Sequence, residues 1–213
     1  MSRRETVQAL RASHGLCFCL VGVGGQGVLL AADIVAHVGV RLGLDVKKAE
    51  VHGMSQRGGS VVSHVRWGDK VHSPLIEQGR ADYVVAFERL EGLRHVGMLA
   101  PDGRLIISDH RIVPVTVTCG GSVYPTEDTE RRLLGAASVA PTFVPSVSAA
   151  QVLGMARAHN MVILGTLAAS LGDGTWPWEA VIAQRVPSNS LDTNLAAFRA
   201  GLAFCSQRGV DVA

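Results

Sequence analysis

Cysteine is scarce and unpaired in this sequence: the four present, Cys17, Cys19, Cys119 and Cys205, include no C-x-x-C pair. The ligand spacing of a structural zinc site or an iron–sulfur cluster is therefore missing from the chain. The cysteines read as small buried hydrophobes in a reducing compartment. Aromatic residues make up only 5% against 24 glycines, a balance suited to tight turns and close backbone approaches rather than to a base-stacking platform. Charge of one sign is lacking too. Twenty Lys and Arg against 18 Asp and Glu leave a formal +2, with the basic residues scattered, so neither nucleic acid nor an anionic membrane has a footprint. The longest apolar stretch, Met161 to Leu171, falls short of the roughly 20 residues of a membrane span. Arg3, Arg4 and Arg11 precede an apolar segment, but Gly22, Gly24, Gly25 and Gly27 interrupt it and no small-residue cleavage site follows, so no signal peptide is expected. The expected location is the cytoplasm, and the expected partners are proteins or small molecules.

What is present is a 213-residue chain that is 47% hydrophobic, enough to bury a large core. After a polar arm at residues 1–14, residues 15–213 read as a single α/β domain. Leu16 to Val23 is a continuous apolar run ending in glycines, as in a parallel strand covered on both faces. Val28, Ala31, Val35, Val38 and Leu42 follow at helical spacing, and Gly43 ends that helix. Strands are expected from Asp45 to Val51, from Tyr83 to Phe87, from Leu105 to Ser108 and from Val113 to Val117. Alternation at Val61, Ser63 and Val65, followed by the Trp67-Gly68-Asp69-Lys70 turn and Val71, predicts a hairpin and hence a mixed sheet. Short helices are expected at Ser73-Pro74 and near Glu88 to Val96, and a turn at Pro101-Asp102-Gly103. The second half turns helical: Ser148 to Ala158, Asn160 to Ser170, Pro177 to Gln184 and Leu191 to Cys205. In the last of these Ser190 is a candidate cap and Gly209 the stop. Ala150, Gly154 and Ala158 recur every four residues, a spacing that allows a close approach to a neighbouring helix. The fold class is a three-layer Rossmann-like domain with a mostly parallel, mixed sheet and a helical C-terminal part.

Two stretches carry chemistry. Gly22-Val23-Gly24-Gly25-Gln26-Gly27 satisfies G-x-G-x-x-G between a predicted strand and a predicted helix, where glycines admit a phosphate to backbone N–H groups at the positive end of the helix. Glu50 follows Gly27 by 23 residues, near where a dinucleotide-binding unit places its ribose acid, so a stand-alone NAD(P) or flavin oxidoreductase is one reading. A glycine turn used only for helix–sheet packing is the other. The second stretch, His52-Gly53-Met54-Ser55-Gln56-Arg57-Gly58-Gly59-Ser60, offers backbone donors and a guanidinium suited to a carboxylate, a diphosphate or a partner's loop. A turn with a solvated arginine is its plain alternative. His52, His64 and His72 have no ligand spacing, so no metal is assigned. Glu88 and Glu91 both fall in a first helical turn, where capping explains them better than an acid–base pair. Gly172-Asp173-Gly174 opens like a thiamine-diphosphate motif, but it follows a helix and Asn189 and Asn194 stand apart, so it reads as a turn. No P-loop and no G-x-S-x-G elbow occurs.

These residues together resemble the gamma-type domain of the 2-oxoacid:ferredoxin oxidoreductases. The matching stretches are GVGGQG at Gly22 to Gly27, HGMSQRGG at His52 to Gly59, SPLI at Ser73 to Ile76, Ala81-Asp82 with Glu88 and Glu91, Tyr124-Pro125, Asn160-Met161 with Gly165, and Asn194 with Ala197-Phe198 and Gly201. Ser55-Gln56-Arg57-Gly58-Gly59 stands where pyruvate-type chains carry an E-R-R-G-A-like loop, so the resemblance favours the indolepyruvate or arylpyruvate branch. It implies oxidative decarboxylation of a 2-oxoacid on thiamine diphosphate, with ferredoxin taking the electrons and coenzyme A the acyl group. It also implies a larger alpha subunit carrying thiamine diphosphate, magnesium and the [4Fe-4S] clusters, within a hetero-oligomer in which this chain is inactive alone. The expected cofactor-facing residues are Gly24, Gly25, Gln26 and Gly27 in one loop and Met54, Ser55, Gln56, Arg57, Gly58 and Gly59 in the other. Arg57 is the expected contact for an anionic group, and no catalytic residue is assigned. A non-catalytic regulatory binding module is the remaining alternative.

Overall fold

The computed structural model describes residues 15–52, 59–136, 140–172 and 176–207. Six strands form one mixed sheet: β1 (Leu16–Val23), β2 (Asp45–His52), β3 (Ser60–Gly68), β4 (Ala81–Ala86), β5 (Leu99–Ser108) and β6 (Thr142–Val144), in the order β2-β3-β1-β4-β5-β6. β1, β4, β5 and β6 run parallel to one another, while β3 is antiparallel to both β1 and β2. The helices are α1 (Val28–Arg41), α2 (Arg89–Arg94), α3 (Val115–Thr118), α4 (Glu127–Ala136), α5 (Ser146–Val152), α6 (His159–Ser170), α7 (Trp178–Arg185) and α8 (Leu191–Gln207).

The continuous apolar run of β1 is explained by its place between β3 and β4 with helices over both faces. Phe18 and Leu20 point into the core shared with α1, α6, α7 and α8. Cys17, Cys19 and Val21 point the other way, where Leu93 of α2 and Leu134 of α4 cover them. Burial pushes the Cys19 thiol up to about 12, so it behaves as a small hydrophobe, as the sequence suggests. Cys119 departs from that reading: it is exposed at the end of α3. Cys205 and Gly209 lie outside what is described of side chains and backbone respectively.

Several local expectations give way to tertiary constraints. The hairpin after β3 does not form, because β3 already has a ladder partner on each edge. Val71 is buried, and its N–H donates to Asp45 Oδ2 at 2.8 Å. No helix starts at Ser73-Pro74. That segment is tied across β3 instead, with the Ser73 carbonyl accepting from Arg66 Nη1 at 3.0 Å and the Ile76 N–H donating to His64 Nδ1 at 3.3 Å. Val113 to Val117 makes no strand; it leads into the short helix α3, since the place beside β5 belongs to β6. Pro101-Asp102-Gly103 falls inside β5, where the register on β4 shifts between Ala81 and Tyr83. The helix expected from Ser148 to Ala158 divides into α5 and a 3-10 turn at Ala156–Ala158, with Gly154 at φ 80° between them. Ser190 Oγ donates back to the Pro187 carbonyl at 3.1 Å.

The closest helix contact is not at Gly154, beside which a Cβ would meet nothing within 4 Å, but between α6 and α8. A Cβ on Gly165 would lie 2.0 Å from the Phe198 carbonyl oxygen, and one on Gly201 would lie 2.0 Å from that of Val162. The two backbones touch, and no rotamer change can relieve an added methyl. Gly165→Ala is expected to cost about 3 kcal/mol in urea unfolding, whereas Gly97→Ala, with open space at its Cβ, should stay within about 0.5 kcal/mol of the parent.

Candidate functional site

The parallel strands end at one edge of the sheet, and the chemistry-bearing loops gather there. β1 runs into Gly24-Gly25-Gln26-Gly27, and α1 starts at once, with Gly27 as its N-cap at φ 77°. Gln26, 7% exposed, spans the strand ends: its Oε1 accepts from the Val23 N–H at 2.8 Å, and its Nε2 donates to the Phe87 carbonyl at 2.9 Å. Gly22 must lack a side chain because a Cβ there would lie 2.9 Å from that Gln26 Oε1. Gly25, at φ 100°, faces open space. The end of the second motif, at Gly59 and Ser60, lies against the glycine loop and α2. The Gly24 N–H donates to the Gly59 carbonyl at 2.9 Å, and Ser60 Oγ donates to Glu91 Oε2 at 2.5 Å. Met54, Ser55, Gln56, Arg57 and Gly58 lie outside the described residues.

Glu88 caps α2, accepting from the Glu91 N–H at 3.0 Å. Its other oxygen takes the Ile112 N–H at 2.9 Å and the Tyr124 hydroxyl at 3.3 Å. Glu91 binds Arg94 Nη1 at 2.6 Å in addition to Ser60. Both carboxylates are at most 2% exposed and fully engaged, so capping and anchoring account for them. The Arg89 N–H donates to the His110 carbonyl at 2.9 Å, and the Arg89 guanidinium pairs with buried Glu130 and lies over Phe143. Burial and the neighbouring Glu88 push Tyr124 up to about 12. The first turn of α2 thus fixes the segment that carries His110 and Ile112.

That segment forms one wall of a cavity of about 320 Å³. The glycine loop at Gly25, Gln26 and Gly27 forms a second wall, and Val147, Ala156, Arg157, His159 and Asn160 close the third. No motif or spacing singles out His110, Arg157 or His159; Asn160 is visible only as part of the resemblance. His159 is 9% exposed and Nδ1 finds no hydrogen-bond partner among the described residues. Burial, with the neighbouring His110, drives its pKa down to about 4. The two rings lie 6.2 Å apart, nearly parallel.

Glu50 is not near this cavity. It aligns with Ser63 on β3 and through it with Leu20 on β1, two strands across and short of the glycine loop, and Lys48 Nζ holds it at 2.7 Å. β3 is inserted between β1 and β2, which removes the adjacency a dinucleotide-binding unit uses. His64, whose Nδ1 accepts from Ile76, is held below its ordinary pKa by burial and by His95.

Residues 17–204 match the family described as pyruvate ferredoxin/flavodoxin oxidoreductase. The indolepyruvate oxidoreductase subunit IorB of Archaeoglobus fulgidus is 39% identical, over 85% of this chain and 91% of its own length. The subunit of the same name from Thermococcus kodakarensis is 34% identical, over 86% and 92%. Among solved structures, the gamma subunit of a keto/oxoacid ferredoxin oxidoreductase from Geobacter sulfurreducens has the same fold, with a TM-score of 0.65 at 21% identity, covering 90% of this chain and 99% of that one. A 2-oxoglutarate:ferredoxin oxidoreductase from Magnetococcus marinus, solved with 2-oxoglutarate, coenzyme A and succinyl-CoA, gives 0.68 at 23% identity, covering 90% of this chain and 31% of that one.

A depressed histidine has a defined effect on stability. The unfolded chain protonates His159 near pH 6.5, the folded chain only near 4, so the stability present above pH 6.5 falls as pH drops toward 4. His159→Gln, compared with the parent by urea unfolding at pH 7.5 and pH 4.5, should show an acid loss smaller by about 2 kcal/mol.

Proposed function

Since the chain belongs to the pyruvate ferredoxin/flavodoxin oxidoreductase family, we propose that it is the subunit without clusters of a thiamine-diphosphate-dependent 2-oxoacid:ferredoxin oxidoreductase acting on an arylpyruvate such as indolepyruvate. The oxoacid loses carbon dioxide, two electrons pass to ferredoxin, and coenzyme A receives the acyl group. Thiamine diphosphate supplies the carbanion chemistry from the larger alpha subunit, which also holds magnesium and the [4Fe-4S] clusters. This chain's donors do not fit those groups: among the described residues no three His, Cys, Asp or Glu side chains come together, and Cys17 and Cys19 are buried in the core. No step is therefore assigned to it beyond binding and orientation. Residues 15–213 act as one unit in a cytoplasmic hetero-oligomer; no helix among the described residues is long and apolar enough to cross a membrane.

One observation carries the placement of the site. The Gly24 N–H to Gly59 carbonyl bond joins the end of the second loop to the glycine loop, at the strand edge where α1 begins. The loops of Gly24 to Gly27 and Met54 to Gly59 then form this subunit's edge of a composite chamber, Gln26 shaping it and Arg57 meeting an anionic group of substrate, coenzyme or partner. The support is the family match, the relatives' shared name and this juncture. With the chain co-expressed beside its cluster-bearing partner, Arg57→Glu is expected to leave assembly intact and to lower 2-oxoacid-dependent ferredoxin reduction about ten-fold or more. Unchanged turnover removes Arg57 from the site. A purified single chain that oxidises a 2-oxoacid unaided, or holds a nicotinamide tightly, overturns the subunit reading.

A further inference from the structure

β2 forms one border of the sheet and has no ladder partner on its outer side among the described residues. A bare strand border offers a row of backbone N–H and C=O groups to any chain that can pair with it, and proteins normally spoil it with a short strand, a bulge, a proline or uncompensated lysines. The opposite border, β6, is three residues long. β2 has none of these protections. It runs eight residues, Asp45–His52, in unbroken register on β3, without proline or glycine. Its two lysines are neutralised: Lys47 Nζ lies 2.8 Å from Asp45 Oδ1, and Lys48 is held by Asp33 of α1 and, at 2.7 Å, by Glu50. Val51 is 52% exposed.

The charges along this border decide what fits it. In a closed antiparallel pairing of two copies the two-fold axis passes through the sheet, and because side chains alternate between its faces, one residue must stand opposite its own copy. Centring on Lys47, Lys48 or Glu50 sets like charges opposite each other, which opposes pairing. Centring on Val46 or Val51 leaves most of the border unpaired. Ala49 avoids both faults. There Lys48 of each copy stands opposite Glu50 of the other, on the face that carries α1, and Lys47 lies beside Val51. With the Lys48–Glu50 bridge already present inside each chain, the four side chains close into a ring of alternating sign.

We propose that two copies of this chain pair through β2, antiparallel and centred on Ala49, joining two six-stranded sheets border to border. The pairing is isologous, so it satisfies both bare borders at once and stops at a dimer. None of the cavity-lining residues belongs to β2, so this interface is a second surface of the chain. It rests on neither the redox chemistry nor the partner subunit proposed above.

The test begins with sedimentation equilibrium of the full chain. A dimer of twice the 22.4 kDa chain mass is expected, weakened about ten-fold or more by Glu50→Lys and likewise by Lys48→Glu, each of which sets like charges across the border. An equimolar mixture of the two variants restores both opposite-charge pairs, so it should form a heterodimer where neither variant pairs with itself. Circular dichroism and melting temperature establish that each variant is folded; should Lys48→Glu fail that check beside Asp33, the following disulfide decides. Ala49→Cys in a Cys119→Ser background reads the register without relying on charge. Mild oxidation should join two chains through residue 49, whereas Val51→Cys, set about 13 Å from its own copy by the four-residue offset, should stay unjoined. A monomeric parent, dimerisation unchanged in Glu50→Lys, or no bond through residue 49 overturns the proposal. The same bond is expected in the complex co-purified with the cluster-bearing partner. Its loss there gives the border to that partner and overturns a second copy as the occupant, whereas failure of any complex to form bears on the subunit reading alone.

Discussion

The amide of Gln26 is the clasp on which the glycine-loop edge of the sheet depends. The sheet alone fixes β1 and β4 as parallel neighbours, and the ladder is extended by the Phe87 N–H donating to the Val21 carbonyl at 2.8 Å. Beyond that point the strands separate into different connections, and nothing in a parallel ladder dictates how their ends should lie. Gln26 removes that freedom by bonding one strand end with its oxygen and the other with its nitrogen. The absence of a side chain at Gly22 makes room for it, and Phe87 closes the gap with its own Cβ 3.0 Å from where a Gly22 Cβ would be. Replacing the amide by an apolar side chain of similar size leaves a buried donor and a buried acceptor unpaired, a cost of about 1–3 kcal/mol for each. The geometry of the glycine loop, and with it the direction in which α1 points its first N–H groups, follows from this one side chain.

A second layer of polar contacts transmits position without touching the cavity. Glu88 and Arg89 together hold the backbone of His110 and Ile112, while Ser108 and Ser146 hydroxyls 2.8 Å apart tie the ends of β5 and α5. Glu91 holds Ser60 at the point where the second loop returns to the sheet. Three acidic residues, Glu88, Glu91 and Glu130, are almost completely buried, yet each is spent on N–H groups, hydroxyls or guanidinium groups. Negative charge is thus present beneath the site and neutralised locally, which leaves the cavity lining free of it.

Much of the frame was legible in the residues. β1, α1, α6, α7 and α8 announce themselves because each buries one face or both, so the apolar period records the burial directly. What escaped was decided by partners distant in sequence. β6 is only Thr142–Val144 and has no pattern of its own; it is a strand because β5 offers an open edge. The segment Val113 to Val117 has strand-forming residues and no edge to join. α4 is polar over most of its surface, and Glu130 and Leu134 alone of its described residues are buried. The glycine loop and its helix were readable as a motif, and so was Glu88 as a cap. His110, Arg157 and His159 were not, since no spacing links residues from two separate connections that meet only after the sheet has assembled. Glu50 is the converse case: its sequence distance from Gly27 fits a dinucleotide unit, and the antiparallel insertion of β3 cancels it.

The bare contact of α6 with α8 ties the far end of the chain to the cavity. His159 and Asn160 open α6, and the helix is pinned further along by Gly165 against the Phe198 carbonyl. Neither backbone can back away without opening a void, nor advance without collision, so α8 sets the depth at which α6 presents its first turn. Asn194, Ala197, Phe198 and Gly201, none of which lines the cavity, therefore act as a gauge block for the pocket wall. Shortening the chain before Gly201 would loosen the pocket from behind, and a lesion there would be mistaken in an activity screen for damage to the site itself.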